Sequence, residues 1–260
     1  SNYTKIRKKL ESISISLNYL HQTDITSLVE AKSFGISVAK GNYICFLEDD
    51  IVLDACFFST LIRGFKHEKK MIGCCGRITN TPRSSNWFIY FRSLFFRGIF
   101  DDPRLKIFNN EKSLFLIQCD VLCGGMTMWK KSVFKKEQID VLNNFFMMED
   151  AEYSTRIAKI FPGSLFVNCK AKISHKISPI NRLEYDSRQA NKIKEAILFY
   201  KKRKKWNGAS YALSLVLIWW TIDAIFESIK RRTLKPITGQ IKGLIIGYNT
   251  KLIHVNDVKD

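Results

Sequence analysis

Residues 43–50 read Tyr43-Ile44-Cys45-Phe46-Leu47-Glu48-Asp49-Asp50, an apolar run that ends abruptly in three carboxylates. The run predicts a short buried strand of a parallel sheet. Three adjacent carboxylates repel one another, and nothing basic lies beside them in sequence to relieve it. In open α/β sheets, ligands bind at the carboxyl ends of strands. A divalent cation there would offset the repulsion, and hard oxygen ligands suit Mg²⁺ or Mn²⁺. An acidic turn that caps the next helix accounts for the same residues, and position alone does not separate the two.

Working outward, residues 13–20 alternate apolar and polar and predict a strand. Leu28, Ala31, Gly35, Val38 and Ala39 recur at helical spacing, with Gly41 where a C-terminal cap belongs. Asp54 is placed to cap a helix whose apolar face is Phe57, Phe58, Leu61, Ile62 and Phe65. Met71–Cys75 and Leu114–Cys123 predict further strands. Glu149 to Ile160 predicts a helix stopped by Pro162-Gly163, followed by two short strands, Ser164–Asn168 and Ala171–Ser174, closed by His175. Strands alternating with helices at this spacing predict an α/β fold. Residues 84–100 are dense in aromatics with Arg92 and Arg97 interleaved, which suits either a cleft wall or plain core.

A second acidic cluster, Glu149-Asp150-Ala151-Glu152, opens its helix, where the macrodipole favours ionised carboxylates. An ionised carboxylate facing a cleft can act as a general base. A helix-stabilising acidic turn is the plainer account.

Ala31-Lys32-Ser33-Phe34-Gly35-Ile36, then Ala39-Lys40-Gly41-Asn42-Tyr43-Ile44 running into Glu48-Asp49-Asp50, resembles a segment of the family 2 glycosyltransferases. Cys123-Gly124-Gly125-Met126 with the following Trp129-Lys130-Lys131 resembles that family's acceptor-side loop. Glu149-Asp150 with Ser154 and Arg156 resembles its second acidic element. The resemblance covers residues 13–190 or so. It implies a GT-A fold, a Rossmann-like mixed sheet flanked by helices, and sugar transfer from a nucleotide-diphospho-sugar donor.

On this resemblance Glu48, Asp50 and His175 hold the metal, and Lys32, Asp49, Gly124 and Gly125 contact the donor. Asp150 is then the base for the acceptor hydroxyl, and Glu149 orients hydroxyls. Glu48 stands where the family has Asp, and Lys32-Ser33 replaces Arg-Asn, so a bidentate fork is lost. The family's first two strands are not found in this sequence, and a preceding segment carrying them is expected. A catalytically inactive module that only binds sugar nucleotide is the alternative.

The 260 residues carry 42 Lys+Arg against 24 Asp+Glu, a net charge of +18, which favours anionic partners. Residues 192–260 hold 14 basic and 5 acidic residues, half of that excess. Trp206–Ile222 is 17 residues without a charge, between the basic clusters 201–205 and 230–232. The sequence therefore divides into a catalytic domain, 1–205, and a basic, apolar helical extension, 206–260, expected to lie on an anionic membrane surface. That implies a cytoplasmic protein, peripheral at the inner face of the cell membrane, making surface polysaccharide or glycolipid on a glycan or lipid-linked acceptor. The charge also suits nucleic acid, but no nucleic-acid motif accompanies it, so none is expected as a partner. Seven cysteines without a C-x-x-C pair give no zinc knuckle or redox motif and suit a reducing compartment.

Overall fold

The computed structural model describes residues 2–80, 85–101, 115–122, 124–176 and 184–253. In chain order these form α1 (Asn2–Glu11), α2 (Leu28–Val38), β1 (Tyr43–Leu47), β2 (Ile51–Leu53), α3 (Phe57–His67), β3 (Gly73–Ile78) and α4 (Asn86–Ser93). A 3-10 turn (Gly98–Phe100), β4 (Leu116–Cys119), β5 (Met126–Lys130), α5 (Val133–Lys136), α6 (Glu149–Ile160) and β6 (Leu165–His175) follow. The chain then runs through α7 (Tyr185–Arg203), α8 (Ala209–Arg231) and α9 (Lys235–Asn249).

The six strands make one mixed sheet in the order β1-β5-β3-β6-β2, with β4 also on β6. Among the described strands only β3 and β6 pair in parallel; β1 lies antiparallel to β5, with Tyr43 opposite Lys130. The expected parallel neighbour of β1 is therefore corrected. An apolar run reports burial, not strand direction. β1 is also only partly buried, with Ile44 inside and Leu47 exposed.

Residues 13–20 do not form a strand. α1 ends at Glu11, Ser14 takes a positive φ of 56°, and Ile13, Ile15, Tyr19 and Leu20 are exposed. Their alternation has no neighbouring strand to pair with among the described residues. The two short strands expected at 164–174 are one continuous β6. α2 ends at Val38 with Ala39 as its cap, so Gly41 does not close it. Its start is a capping box, Ser27 accepting from the Glu30 amide and Glu30 reaching back to Ser27. Asp54 accepts from the Cys56 amide and thereby turns the chain into α3, although it is not the capping residue.

Alternation along the strands builds two cores, one on each face. Cys74, Met126, Met128 and Phe166 pack with Phe57, Leu61 and Phe65 of α3. Cys75, Trp129, Leu165 and Val167 pack with Tyr153 and Ile157 of α6. A third cluster joins Phe96 and Phe100 to Ile197 and Phe199 of α7 and to Val216, Trp219 and Trp220 of α8. α8 and α9 thus pack against the same body as α7. α8 is long and apolar enough to cross a membrane by length and composition, with 39% of its most apolar window buried. The described cysteines are all free.

A buried charge network fixes α6 against α7. The Glu152 carboxylate, 2% exposed, lies 2.6 Å from Lys202 Nζ and 2.8 Å from Arg156 Nε. Arg203 donates to the Glu152 carbonyl at 2.7 Å. Just ahead of α6, the buried Glu195 carboxylate accepts backbone N–H bonds from Phe146, Met147 and Met148 at 3.2, 2.7 and 3.0 Å. Burial raises the Glu195 pKa, and the three amides pull it back only in part. Glu195→Ala would leave three amides without an acceptor and should destabilise the chain by about 2–4 kcal/mol. Glu195→Gln keeps an acceptor oxygen and should cost less. Urea unfolding measures both, and a loss below about 1 kcal/mol for the alanine variant would mean water replaces the carboxylate.

Candidate functional site

β1 delivers Glu48 and Asp50 to its carboxyl end, and β6 delivers His175. The pairing of β2 with β6 sets Ile51 opposite His175, so the residue before Ile51 meets the end of β6. Asp50 Oδ1 lies 3.0 Å from His175 Nε2, and Glu48 Oε2 lies 3.6 Å from the same nitrogen. One ligand atom from each of the three falls within 4.8 Å of the others. Asp49, expected at the donor, is exposed and stands outside this group.

Asn80 was not singled out from the sequence. Its Nδ2 donates to the His175 carbonyl at 2.8 Å, and its Oδ1 accepts the His175 amide at 2.9 Å. No sequence signal marks an Asn that holds a strand end by its backbone. The Lys176 amide donates to the Asp50 carbonyl at 2.7 Å and closes the cluster from the other side. Burial raises the Glu48 pKa; His175 opposes this and Asp50 adds to it.

The second cluster sits at the N-terminus of α6. Glu149 is 8% exposed and Asp150 27%. Lys32 of α2 forms an ion pair with both, 3.1 Å from Asp150 Oδ1, and its ammonium also lies 5.2 Å from the Phe46 ring centre. Burial alone would lower the Lys32 pKa, but Asp150 and Glu149 outweigh it and hold it above the usual value. Glu149 moves the opposite way from an N-terminal carboxylate: burial first, then Asp150, push it up to about 8. The macrodipole does not keep this carboxyl ionised, because it is worth at most ~2 kcal/mol, less than the penalty for burying a charge.

Gly124 and Gly125 stand between the two clusters. A Cβ on Gly124 would lie 1.6 Å from Asp150 Oδ2, and one on Gly125 would lie 2.3 Å from Glu48 Cδ. Gly125 also has φ +72°, where any side chain is strained. The Gly125 carbonyl accepts the Glu48 amide at 3.0 Å. The pair therefore lets the protein's own carboxylates approach a common backbone turn, which motif reading alone does not reveal. Eight of the expected site residues thus converge on two neighbouring acidic groups: Glu48, Asp50, His175 on one side, Lys32, Glu149, Asp150 on the other, with Gly125 and Gly124 bridging them. Two carboxylates and an imidazole form a donor set that fits a divalent transition cation.

No family model matches this sequence, and no curated protein does. Solved structures do match. A mannosyltransferase from Pyrobaculum calidifontis, in complex with GDP-Man and Mn²⁺, aligns with TM-score 0.57 at 9% identity over 95% of this chain and 74% of its own. GalNAc-T7 with UDP, GalNAc and Mn²⁺ aligns with TM-score 0.51 at 14% identity, over 87% of this chain and 48% of its own. TarS of S. aureus, residues 1–349 with UDP-GlcNAc, aligns with TM-score 0.54 at 8% identity, over 94% of this chain and 67% of its own. This chain spans about half the length of GalNAc-T7 and two thirds or more of the other two. With its mixed sheet between helical layers and its strand order, the chain has the fold of the GT-A glycosyltransferases.

Proposed function

We propose that the chain is a metal-dependent glycosyltransferase that moves a sugar, with inversion, from a nucleotide-diphospho-sugar to a hydroxyl acceptor. The observation that carries this reading is the pair of acidic clusters set on either side of the Gly124-Gly125 turn in a GT-A fold. The structural neighbours were solved with nucleotides, sugar nucleotides and, in two cases, Mn²⁺. Glu48, Asp50 and His175 would hold the cation; the imidazole favours Mn²⁺ over Mg²⁺, which prefers oxygen alone. Such a cation neutralises charge on a leaving diphosphate.

Asp150 receives the acceptor's hydroxyl proton as the oxygen bonds to the anomeric carbon. The bond from that carbon to the diphosphate breaks, and its electron pair leaves with the nucleoside diphosphate. Lys32 holds Asp150 in place and balances its charge. Glu149, whose carboxyl burial holds above the usual range, donates a hydrogen bond to a sugar or acceptor hydroxyl. Glycan and lipid-linked acceptors both suit this chemistry.

The test is release of nucleoside diphosphate from UDP- and GDP-sugars with Mn²⁺. Donor binding without release would assign the chain to a catalytically inactive binding module. Neither binding nor release would overturn the reading.

The membrane assignment rests on α8 and α9. Ile218, Ile225, Phe226 and Ile229 of α8 are 50, 44, 68 and 70% exposed, and Leu234, Ile241 and Ile245 continue the apolar surface onto α9. Lys230, Arg231, Arg232, Lys235 and Lys242 lie along the same two helices. The 201–205 cluster contributes less than its composition predicts. Lys201 donates to the carbonyls of Gly247, Tyr248 and Thr250, Lys202 pairs with Asp140 and Glu152, and Arg203 is buried. Only Lys204 and Lys205 of that run face outward. The chain should float with phosphatidylglycerol liposomes and not with phosphatidylcholine alone. Phe226→Asp with Ile229→Asp should abolish flotation. Equal behaviour on both liposomes, or no effect of the double change, would remove the membrane from this reading.

A further inference from the structure

The C-terminal ends of α6, α7 and α9 meet around one concavity of about 1000 Å³. Six lysines line it: Lys159 from the last turn of α6, Lys201 and Lys202 from the last turn of α7, Lys204 and Lys205 just beyond that helix, and Lys251 just beyond α9. Among the described residues no Asp or Glu lines it.

Helix C-termini attract cations, and this accounts for part of the cluster. Lys201 donates to the carbonyls of Gly247, Tyr248 and Thr250 at the end of α9, and Lys202 turns inward to Asp140 and Glu152. The other four lysines differ. Lys159, Lys204, Lys205 and Lys251 are exposed, and none has a hydrogen bond or an ion pair among the described residues. Lys159 lies over the Trp206 ring, 4.4 Å from its centre.

That lining selects a ligand class. An ammonium group donates hydrogen bonds and accepts none, so four of them call for a ligand rich in acceptor oxygens and negative charge. A saccharide matches poorly, because its hydroxyls need acceptors as well as donors. A single phosphate or carboxylate satisfies one or two ammonium groups and leaves the others facing like charge. A chain of linked phosphates offers oxygens on every side. The concavity, at the upper end of the ~300–1,000 Å³ of small-molecule sites, has room for one. Lysines on flexible stems, with no arginine fork on the lining, follow such a chain as separate point charges.

We propose that this concavity binds a compact anion of two or more linked phosphate groups, held by Lys159, Lys204, Lys205 and Lys251, at a site separate from the two acidic clusters. Its neighbour on the protein side is Lys202, which ties α7 to Glu152 on the helix that opens with Glu149 and Asp150. The site does not depend on the sugar-transfer reading. With no carboxylate on its lining, it needs no metal ion to bridge the anion to the protein.

The probe is tripolyphosphate, titrated by calorimetry into the full chain in EDTA at fixed ionic strength, beside orthophosphate. Tripolyphosphate should bind at least about tenfold more tightly, because it reaches more than one ammonium group. Lys204→Gln, Lys205→Gln and Lys251→Gln together should lower its affinity at least about tenfold, and Arg at the same three positions should retain it. The same loss of charge at Lys40, Lys69 and Lys135, which are exposed and do not line the concavity, should change it by less than about threefold, since distant exposed charges are screened.

Equal affinity for the two phosphates, indifference to the Gln variant, or an equal loss in the Lys40, Lys69 and Lys135 variant would overturn the proposal. Displacement of tripolyphosphate by phosphatidylglycerol vesicles would assign the lysines to a lipid headgroup layer and overturn it as well. UDP and GDP binding with Mn²⁺ should be unchanged in the Gln variant. Its loss there would place these lysines in the donor site and reject a separate one, whereas absence of nucleotide binding in the parent chain rejects the donor reading alone.

Discussion

Asp150→Asn should leave donor affinity intact and lower kcat by about 10²–10⁴. The two carboxyls at the start of α6 are adjacent in sequence but not in environment. Glu149 is nearly enclosed and is pushed up to about 8, so near neutral pH it holds a proton for much of the time. A base must arrive without its proton, and that argues against Glu149. Asp150 is also the more exposed of the two, and one of its oxygens faces the Gly124 backbone with no side chain between. Asn keeps the shape and can still meet Lys32 through its carbonyl oxygen, but it cannot take a proton. Binding of UDP-GlcNAc and GDP-mannose with Mn²⁺, followed by calorimetry, should therefore match the parent chain. Added Mn²⁺ should not restore turnover. Normal turnover, or loss of nucleotide binding, would remove Asp150 from the role of base.

Both acidic clusters were legible because each interrupts a pattern. Glu48-Asp49-Asp50 ends an apolar strand, and Glu149-Asp150 opens an amphipathic helix whose limits, Glu149–Ile160, match the expected ones. Strand direction was not legible. The apolar run of β1 reads the same whether its neighbour is parallel or antiparallel, and its partner β5 lies beyond α3 and β3 in the chain. The strand expected at 13–20 failed for a related reason: alternation supplies one apolar face, but a strand also needs a hydrogen-bonded neighbour.

Long-range pairings were invisible too. Lys32 reads as a cation near a diphosphate, yet its partners Glu149 and Asp150 lie 117 and 118 residues away. Glu195 reads as one more helix carboxylate, and only the fold brings it to the amides of 146–148. In the basic run 201–205, composition overstated surface charge because three of its five side chains are spent on internal carbonyls and carboxylates.

Asp50→Asn should fail differently from Asp150→Asn. It removes a charged oxygen from a three-residue group in which the His175 nitrogen lies 3.0 Å from Asp50 and 3.6 Å from Glu48. Losing a residue that merely supports a metal ligand costs ~10–100-fold in affinity, so losing a ligand should cost at least that for Mn²⁺. UDP and GDP binding should fall in parallel, because the cation is the link between the acidic cluster and the diphosphate. Millimolar Mn²⁺ should recover part of both, since the remaining carboxylate and imidazole are still in place. His175→Ala removes an imidazole nitrogen rather than a carboxylate oxygen, and should show the same pattern with a smaller, roughly tenfold loss. Asn80→Ala offers an internal check. It leaves all three candidate ligands present but releases the His175 backbone from its two hydrogen bonds. Its effect on Mn²⁺ affinity should therefore not exceed that of His175→Ala. Mn²⁺ binding is read by electron paramagnetic resonance and nucleotide binding by calorimetry. Should Asp50→Asn bind Mn²⁺ as the parent chain does, the cation is not held by this cluster. The division of labour between the two acidic groups would then be wrong even if Asp150→Asn behaves as expected.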